Sequence, residues 1–344
     1  MTEEKRKLLH PTSEILVNVY NLLVEQKEVS FPIYDRQIFA LDSIVKTINA
    51  EYFGFVRFLT NEDKAAAYFC YIIKNHPVTD GNKRLAVLWL DVFANSLELK
   101  LNNVKLLNAG HILGARQIAV EQDGAKAVYT GDICLRDNLI SKGAEIEECD
   151  TLIIEATYAD PFYKFPLYEN VCEDIAKWIN EHYEKRSANI IIGCYELGKA
   201  QELVKLLNLY CGITPLVNEK MNNFCEVYEN FGIKLDRVLI GSSEAEEIMK
   251  KPFVALVPMR NGKRYFARRL AEAFNRDTLA CIATGWSLRY GFNVDKAFPL
   301  SDHADHYDLK YYIEQSDARE VEFFSGDGSS LVGKKVGNPK LSIF

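Results

Sequence analysis

The sequence predicts an α+β chain in two modules: an all-α module over residues 1–104 and an α/β module over residues 105–344. Three observations predict it. Up to about residue 104 the apolar residues recur at helical spacing. From about residue 105 short apolar runs alternate with helical stretches. The 344 residues, 48% hydrophobic and 26% charged, suffice for two ordinary domains and exclude a disordered chain.

In the first module, residues 12–26 open with Thr12 and Ser13 as capping candidates. They place Ile15, Leu16, Val19, Leu22 and Leu23 on one helical face. Residues 35–52 repeat the pattern through Ile38, Leu41, Ile44, Val45 and Ile48. Residues 61–75 start at Asn61 with acidic residues in the first turn, as a helix N-terminus favours. Residues 83–99 are apolar almost all round, which predicts a buried central helix. In the second module the strand candidates are 116–122, 126–132, 150–157, 188–196, 253–259, 279–285, 296–302 and 321–327. Helical stretches at 170–185 and 198–210 stand between them.

Composition also excludes several classes. No apolar run reaches the ~18 residues of a membrane span. The first fourteen residues carry charges of both signs without an apolar core, so no secretory signal is expected. The eight Cys are scattered and form no CxxC pair, which predicts reduced core thiols and a cytoplasmic location. Net charge is −7, and the two modules carry 12 Lys+Arg against 13 Asp+Glu and 29 against 35, so neither is basic. The one basic stretch, Arg260, Lys263, Arg264, Arg268, Arg269 and Arg276, reads either as a phosphate contact or as a solvated helix face.

His76-Pro77-Val78-Thr79-Asp80-Gly81-Asn82-Lys83-Arg84 joins two apolar helices. Asp80 can cap the next helix or hold Mg²⁺. Gly81 lets the backbone turn closely, and the free N–H groups of the first helical turn suit an anion. Lys83 and Arg84 add positive charge there, and His76 suits proton removal near neutral pH. The segment reads either as a polar interhelical turn or as the parts of phosphoryl or nucleotidyl transfer. It resembles the HxFx(D/E)(G/A)N(G/K)R signature of the Fic/Doc (death-on-curing) family. The resemblance implies an all-α fold with ATP and Mg²⁺ as cofactors and a protein hydroxyl as acceptor. It implies His76 as general base, Asp80 as Mg²⁺ ligand, and Gly81, Asn82, Lys83 and Arg84 as the phosphate cradle. Residues 52–60 fall where such proteins carry a target-docking flap. Val78 replaces the usual Phe. Lys83 stands where AMP-transferring members mostly have Gly, and Val87 where they often have Arg, so the segment is similar to the phosphate-transferring Doc branch.

In the second module, Gly110-His111-Ile112-Leu113-Gly114-Ala115, Thr130-Gly131-Asp132, Glu155-Ala156-Thr157-Tyr158-Ala159-Asp160 and Ser301-Asp302-His303-Ala304-Asp305-His306 each adjoin a strand. His and Asp from separate strand ends can ligate a metal; each alone equally reads as a turn or a satisfied hydrogen bonder. In this order they resemble the motifs of metallo-β-lactamase/β-CASP RNA-processing nucleases, over essentially all of 105–344. The closest likeness is to archaeal RNA 3′-end-processing factors and ligase-associated exonucleases. The resemblance implies His111 and Asp132 as zinc ligands, Glu155 in the first β-CASP motif, His303 as proton donor, and residues 161–284 as the inserted β-CASP lobe. It places Asp327 near the expected late His-Gly. The family's main zinc motif, HxHxDH, is absent: the six His are 10, 76, 111, 182, 303 and 306. What remains is a remnant zinc site, and Zn²⁺ is not expected to be held by this chain alone.

Three functions stay open. The first is a Fic/Doc-like phosphoryl or adenylyl transferase acting on a protein, with the second module used for binding or targeting. The second is an RNA- or DNA-processing nuclease whose missing zinc ligands come from elsewhere. The third is a non-catalytic fusion of two incomplete modules.

Overall fold

The computed structural model describes residues 12–25, 33–52, 55–56, 64, 67–68, 71–72, 75, 77, 103–122 and 124–332. The chain divides into two compact units, one holding Met1–Val104, Glu121–Gly124 and Lys334–Phe344 and the other Lys105–Val120 with Ala125–Gly333, so that the ends of the first two long strands cross the division.

In the first unit, helices α1 (Ser13–Glu25) and α2 (Asp35–Asn49) pack together. α1 buries Leu16, Val19 and Tyr20, and α2 buries Leu41, Ile44, Val45 and Ile48, whereas Ile15 and Ile38, which helical spacing puts with them, are exposed. Ser13 Oγ donates to Asp42 Oδ1 across the pair at 3.2 Å. α2 stops at Asn49, short of the predicted Tyr52, because Ala50 turns to extended backbone. The chain then pairs β1 (Glu51–Tyr52) with β2 (Phe55–Val56) antiparallel, so among its described residues the unit is helical with one small two-stranded sheet. Lys64 is buried and donates to Asn49 Oδ1 at 2.9 Å, and burial pulls its ammonium down from the ordinary value. His76, Asp80, Gly81, Asn82, Lys83 and Arg84 lie outside the described residues.

The second unit starts with strands β3 (Asn103–Asn108), β4 (Arg116–Gln122), β5 (Ala125–Tyr129) and β6 (Thr151–Glu155). Then come α3 (Tyr168–Asn180), β7 (Asn189–Cys194), α4 (Lys199–Leu206), β8 (Leu216–Val217), α5 (Glu219–Asn230), β9 (Val238–Leu239) and α6 (Ser243–Met249). The unit closes with β10 (Val254–Pro258), α7 (Arg264–Phe274), β11 (Thr278–Ala283), β12 (Lys296–Phe298), α8 (His306–Gln315) and β13 (Glu320–Ser325). Side chains make the N-caps where the sequence supplies them. Asn218 accepts from Met221 N–H, Ser242 from Ala245 N–H, and Asp305 from Tyr307 and Asp308 N–H.

Two sheets result. One has five strands in the order β13-β6-β5-β4-β3, with β6 parallel to both neighbours. Its Leu107, Ala119, Val128, Leu152 and Ile154 pack on Leu309 and Tyr312 of α8. The other has six strands in the order β12-β11-β7-β10-β8-β9, all parallel. Alternation along its strands sorts its core into two faces. Ile190, Ile192 and Leu256 pack with Ile175 of α3, Leu203 of α4 and Met221 of α5. Ile191, Ala255 and Ile282 pack with Ala245 of α6 and Ala267 of α7. Cover on both faces is why β7 reads as an unbroken apolar run. This sheet extends to Phe298, beyond the 161–284 lobe expected from sequence, because β12 pairs with β11 through Cys281 and Lys296.

Among the described residues seven cysteines are free thiols, and five of them are buried. Among the described residues no helix is long and apolar enough to cross a membrane. Leu256 has no exposed surface and lies on a central strand. Leu256→Ala should therefore destabilise the second unit by about 2–5 kcal/mol. Urea unfolding should show a lower midpoint with an unchanged slope.

Candidate functional site

The candidate residues of the second unit all stand at strand ends, and the loops that carry them are cross-tied. After β3, an isolated antiparallel bridge joins Gly110 to Ile133. Gly110 has φ +71°, and a Cβ there would lie 2.1 Å from the Cys134 carbonyl oxygen, so only glycine fits. The bridge sets His111 beside Asp132, with Nε2 4.0 Å from Oδ2. The loop before α8 docks on the same place. Ala304 N–H donates to Ile133 O at 2.6 Å, Arg136 Nη2 donates to Ser301 O at 2.6 Å, and Phe165 N–H donates to Asp305 Oδ2 at 2.8 Å.

Glu155 ends β6 with no exposed surface. Its Oε1 accepts from Ile133 N–H at 2.6 Å, and His303 Nδ1 faces both carboxylate oxygens at 3.1 and 3.0 Å. A carboxylate only accepts, so Nδ1 of His303 carries the proton and Nε2 points away. Burial alone would push this imidazole down. Glu155, with Asp302 and Asp132 farther out, outweighs burial and raises it to about 9. His111 Nδ1 donates to the Asp302 carbonyl oxygen at 2.9 Å, which leaves Nε2 on the Asp132 side. The two imidazole rings are 4.5 Å apart. Asp302 turns its carboxylate to Lys199, whose buried ammonium is 3.6 Å from Asp302 Oδ1 and 3.0 Å from Glu202 Oε2. Burial opposes ionisation of Asp302, but Lys199 and the two imidazoles hold it below the ordinary carboxylate range.

The structure thus brings His111, Asp132, Glu155 and His303 together and adds Asp302 to them. Their donor atoms fall into two overlapping groups, His111–Asp302–His303 and Asp132–Glu155–His303, each within 4.8 Å. Asp327 is not with them. Its exposed carboxylate accepts from Ser329 N–H at 2.9 Å and caps its own turn. His182 and His306 donate to the carbonyls of Trp178 and Ala159 instead. Asp302 and Lys199 join the site without being expected from sequence; a carboxylate next to a site histidine is the available signal for Asp302. Of the basic stretch, Arg264 pairs with Asp295 at 2.7 Å, Arg276 donates to the carbonyls of Lys250 and Lys251, and Arg268 and Arg269 are exposed on α7.

The donor set does not fit a two-zinc hydrolytic centre. Glu155 is committed to His303 and Ile133, and Asp302 to an ammonium that competes with any cation. Two imidazole Nε2 atoms and Asp132 are too few to hold two zinc ions with an open water position. The dyad His303–Glu155 can nevertheless hold and move a proton at Nε2.

His303 has a folded value raised to about 9 from 6.5. Its contribution to stability should be complete below pH 6.5 and lost as pH rises through 9. Imidazole resonances followed by NMR should titrate near the raised value, and Glu155→Gln should move the midpoint down. A wild-type midpoint below about 7 would contradict the pairing.

The Fic/DOC family model matches residues 11–94. A probable DNA ligase of Opitutus terrae is 30% identical over 223 residues, 63% of this chain and 21% of that protein. An RNase J-like protein of Methanocaldococcus jannaschii is 38% identical over 108 residues, 31% of this chain and 25% of that protein. Cleavage and polyadenylation specificity factor subunit 3 of Dictyostelium discoideum is 33% identical over 120 residues, 33% of this chain and 15% of that protein. The chain therefore spans a quarter or less of the length of these relatives. Its N-terminal part resembles the Fic/Doc family, and its C-terminal part resembles the metallo-β-lactamase/β-CASP nucleases.

Proposed function

We propose that this chain is a Fic/Doc-like transferase acting from Mg·ATP on a protein hydroxyl, and that its second unit is a nucleic-acid-binding module on a nuclease-like scaffold. The observation that carries the role of the second unit is the commitment of Glu155 and Asp302 to internal cations. Glu155, His303, Asp302 and Lys199 neutralise one another within the protein, which leaves a folded scaffold without the ligands for hydrolysis. The kinship with an RNase J-like protein supports nucleic acid as its ligand. The transferase reading is supported by the match over residues 11–94 and by the residue types of the His76–Arg84 segment. In that reading Asp80 holds Mg²⁺, and Gly81, Asn82, Lys83 and Arg84 hold the phosphates. His76 takes the proton of the acceptor hydroxyl as its oxygen attacks phosphorus. Lys83 and Val87 favour the γ-phosphoryl group, so the bond to ADP breaks and ADP leaves.

A second reading is favoured by one observation. Strand β3 ends its sheet among the described residues and exposes Val104 and Leu106, an edge on which another chain carrying the HxHxDH donors could pair. That assembly would be a nuclease.

Both readings are open to test on the purified chain. Label from γ-labelled ATP should reach a protein acceptor while label from α-labelled ATP does not. His76→Ala should abolish transfer yet retain the Mg·ATP-dependent rise in Tm, and Asp80→Ala should remove most of that rise. Wild-type protein with no such rise at millimolar ATP would overturn the transferase reading. The chain should hold well under one zinc per molecule and leave labelled single-stranded RNA and DNA intact with Zn²⁺ or Mn²⁺ added. Cleavage abolished by His111→Ala would favour the nuclease.

A further inference from the structure

We propose that the open edge of β3 takes an extended segment of a partner protein as an added strand, and that an acidic side chain of that segment enters a cleft beside Arg116. This role concerns the same edge as the nuclease assembly but needs none of its metal donors, and zinc content and cleavage test that assembly separately. β3 is the last strand of its sheet among the described residues. Ala109 N–H donates to Ala115 O at 3.2 Å, which closes β3 and β4 as a hairpin. Asn108 turns its backbone the other way. Its C=O accepts from Glu145 N–H at 3.0 Å, and its N–H donates to Glu145 Oε1 at 2.9 Å. Backbone groups two residues apart in an antiparallel strand point to the same side. The N–H and C=O of Leu106, and of Val104 before it, therefore face outward, away from β4. The two side chains are 62% and 47% exposed. An unpaired edge of this kind is a template for another strand.

A cleft of about 360 Å³ lies beside that edge. Leu106 and Asn108 of β3 line it, together with residues 112–114 of one loop and 140–142 of another. Both loops are tied down. Leu113 N–H donates to the Tyr228 hydroxyl at 3.2 Å, and Ala115 N–H to Ile112 O at 3.0 Å. Asn108 Nδ2 donates to the carbonyls of Lys142 and Gly143 at 2.8 and 2.9 Å. Asn138 Oδ1 accepts from Ile140 and Ser141 N–H. A cleft with fixed walls takes a side chain with little further loss of its own freedom.

The lining sets the chemistry of that side chain. Two cations, Arg116 and Lys142, stand against one carboxylate, Glu145. Lys142 pairs with Asp137, and Glu145 holds Asn108 N–H. Arg116 is exposed, and its Nη1 donates to neutral oxygens, Ala115 O at 3.1 Å and Asn108 Oδ1 at 3.5 Å. Among the described residues no carboxylate pairs with it. A guanidinium in that state suits an incoming carboxylate, which it can hold bidentately. Leu106, Ile112 and Leu113 supply apolar surface for the CH₂ groups of a Glu side chain. A phosphate backbone would offer Arg116 a charge but has no N–H groups to pair with the Leu106 carbonyl, so the edge and the cleft together select a peptide.

The test uses the full chain and three fluorescein-labelled hexapeptides read by anisotropy. One alternates Val with Glu, one alternates Val with Lys, and one is the Val-Glu peptide N-methylated at every residue. The Val-Glu peptide should bind, and the other two should bind about tenfold or more weakly. Arg116→Ala should weaken the Val-Glu peptide by about fivefold to tenfold and leave the Val-Lys peptide unchanged. Arg116 is exposed, so this variant folds. Equal binding of the Val-Glu and Val-Lys peptides, or no effect of Arg116→Ala, would overturn the acidic seat. Equal binding of the N-methylated peptide would overturn strand addition. If no peptide binds, both fail. Light scattering that shows a dimer broken by Leu106→Lys would overturn the assignment to a partner protein, because a second copy would then occupy the edge.

Discussion

A fully buried carboxylate fixes this site. Glu155 has no exposed surface, and an unpaired ionised carboxylate in that position would cost several kcal/mol. It is tolerated because Ile133 N–H and the His303 imidazole both face it. Those partners come from different loops, one after β5 and one before α8. Satisfying one charge therefore draws both loops onto the end of β6. The bridge from Gly110 to Ile133 then carries His111 to the same point. The cluster is thus a consequence of hydrogen-bond accounting at one strand end, with the sheet as its rigid support.

A second buried charge ties the two sheets of the unit into one site. Lys199 and Glu202, on the first turn of α4, are 1% and 2% exposed. They belong to the helix that covers the six-stranded sheet, whereas Asp302 follows β12 and its carbonyl receives His111 from the five-stranded side. Removing one member of such a group leaves a buried charge unmatched, at about 3–5 kcal/mol. Arg136 lies 5.0 Å over the Tyr168 ring and donates to Ser301 O, so a third cation holds the same loop from the other side. The geometry of His303 accordingly depends on residues well away from it in sequence.

Strands buried on both faces were legible because they are apolar throughout: β7, β10 and β11 stand out as runs such as Ile190–Ile192. The edge strand β3, Asn-Val-Lys-Leu-Leu-Asn, was not, since half its side chains face solvent and polar residues end it. The two-residue strands β8 and β9 carry too little pattern to find. His111, Asp132, Glu155 and His303 were legible as an ordered set of strand-end motifs. Lys199 was not, because sequence does not show that a lysine on a first helical turn is buried against a carboxylate about a hundred residues away. Asp327 misled for the opposite reason: short-range capping by Ser329 N–H competes for such a carboxylate, and only the folded turn shows which partner takes it.

Internal pairing explains how these carboxylates are tolerated inside the protein. A site built around cations leaves carboxylates that repel one another once the cations are gone. Here Glu155 faces His303, and one ammonium, Lys199, serves both Asp302 and Glu202. The six-stranded sheet adds a core that owes nothing to the cluster, since its two faces are closed by helices α3 to α7. An aromatic cleft, lined by Tyr195, Trp286 and Tyr290 among others, is built on that sheet, on the loops that follow β7, β10 and β11. The aromatic cleft and the His303–Glu155 pair therefore rest on different supports, joined through Tyr158 between Trp286 and His303. A unit arranged this way keeps the shape of the cleft independent of the charges at the neighbouring strand ends.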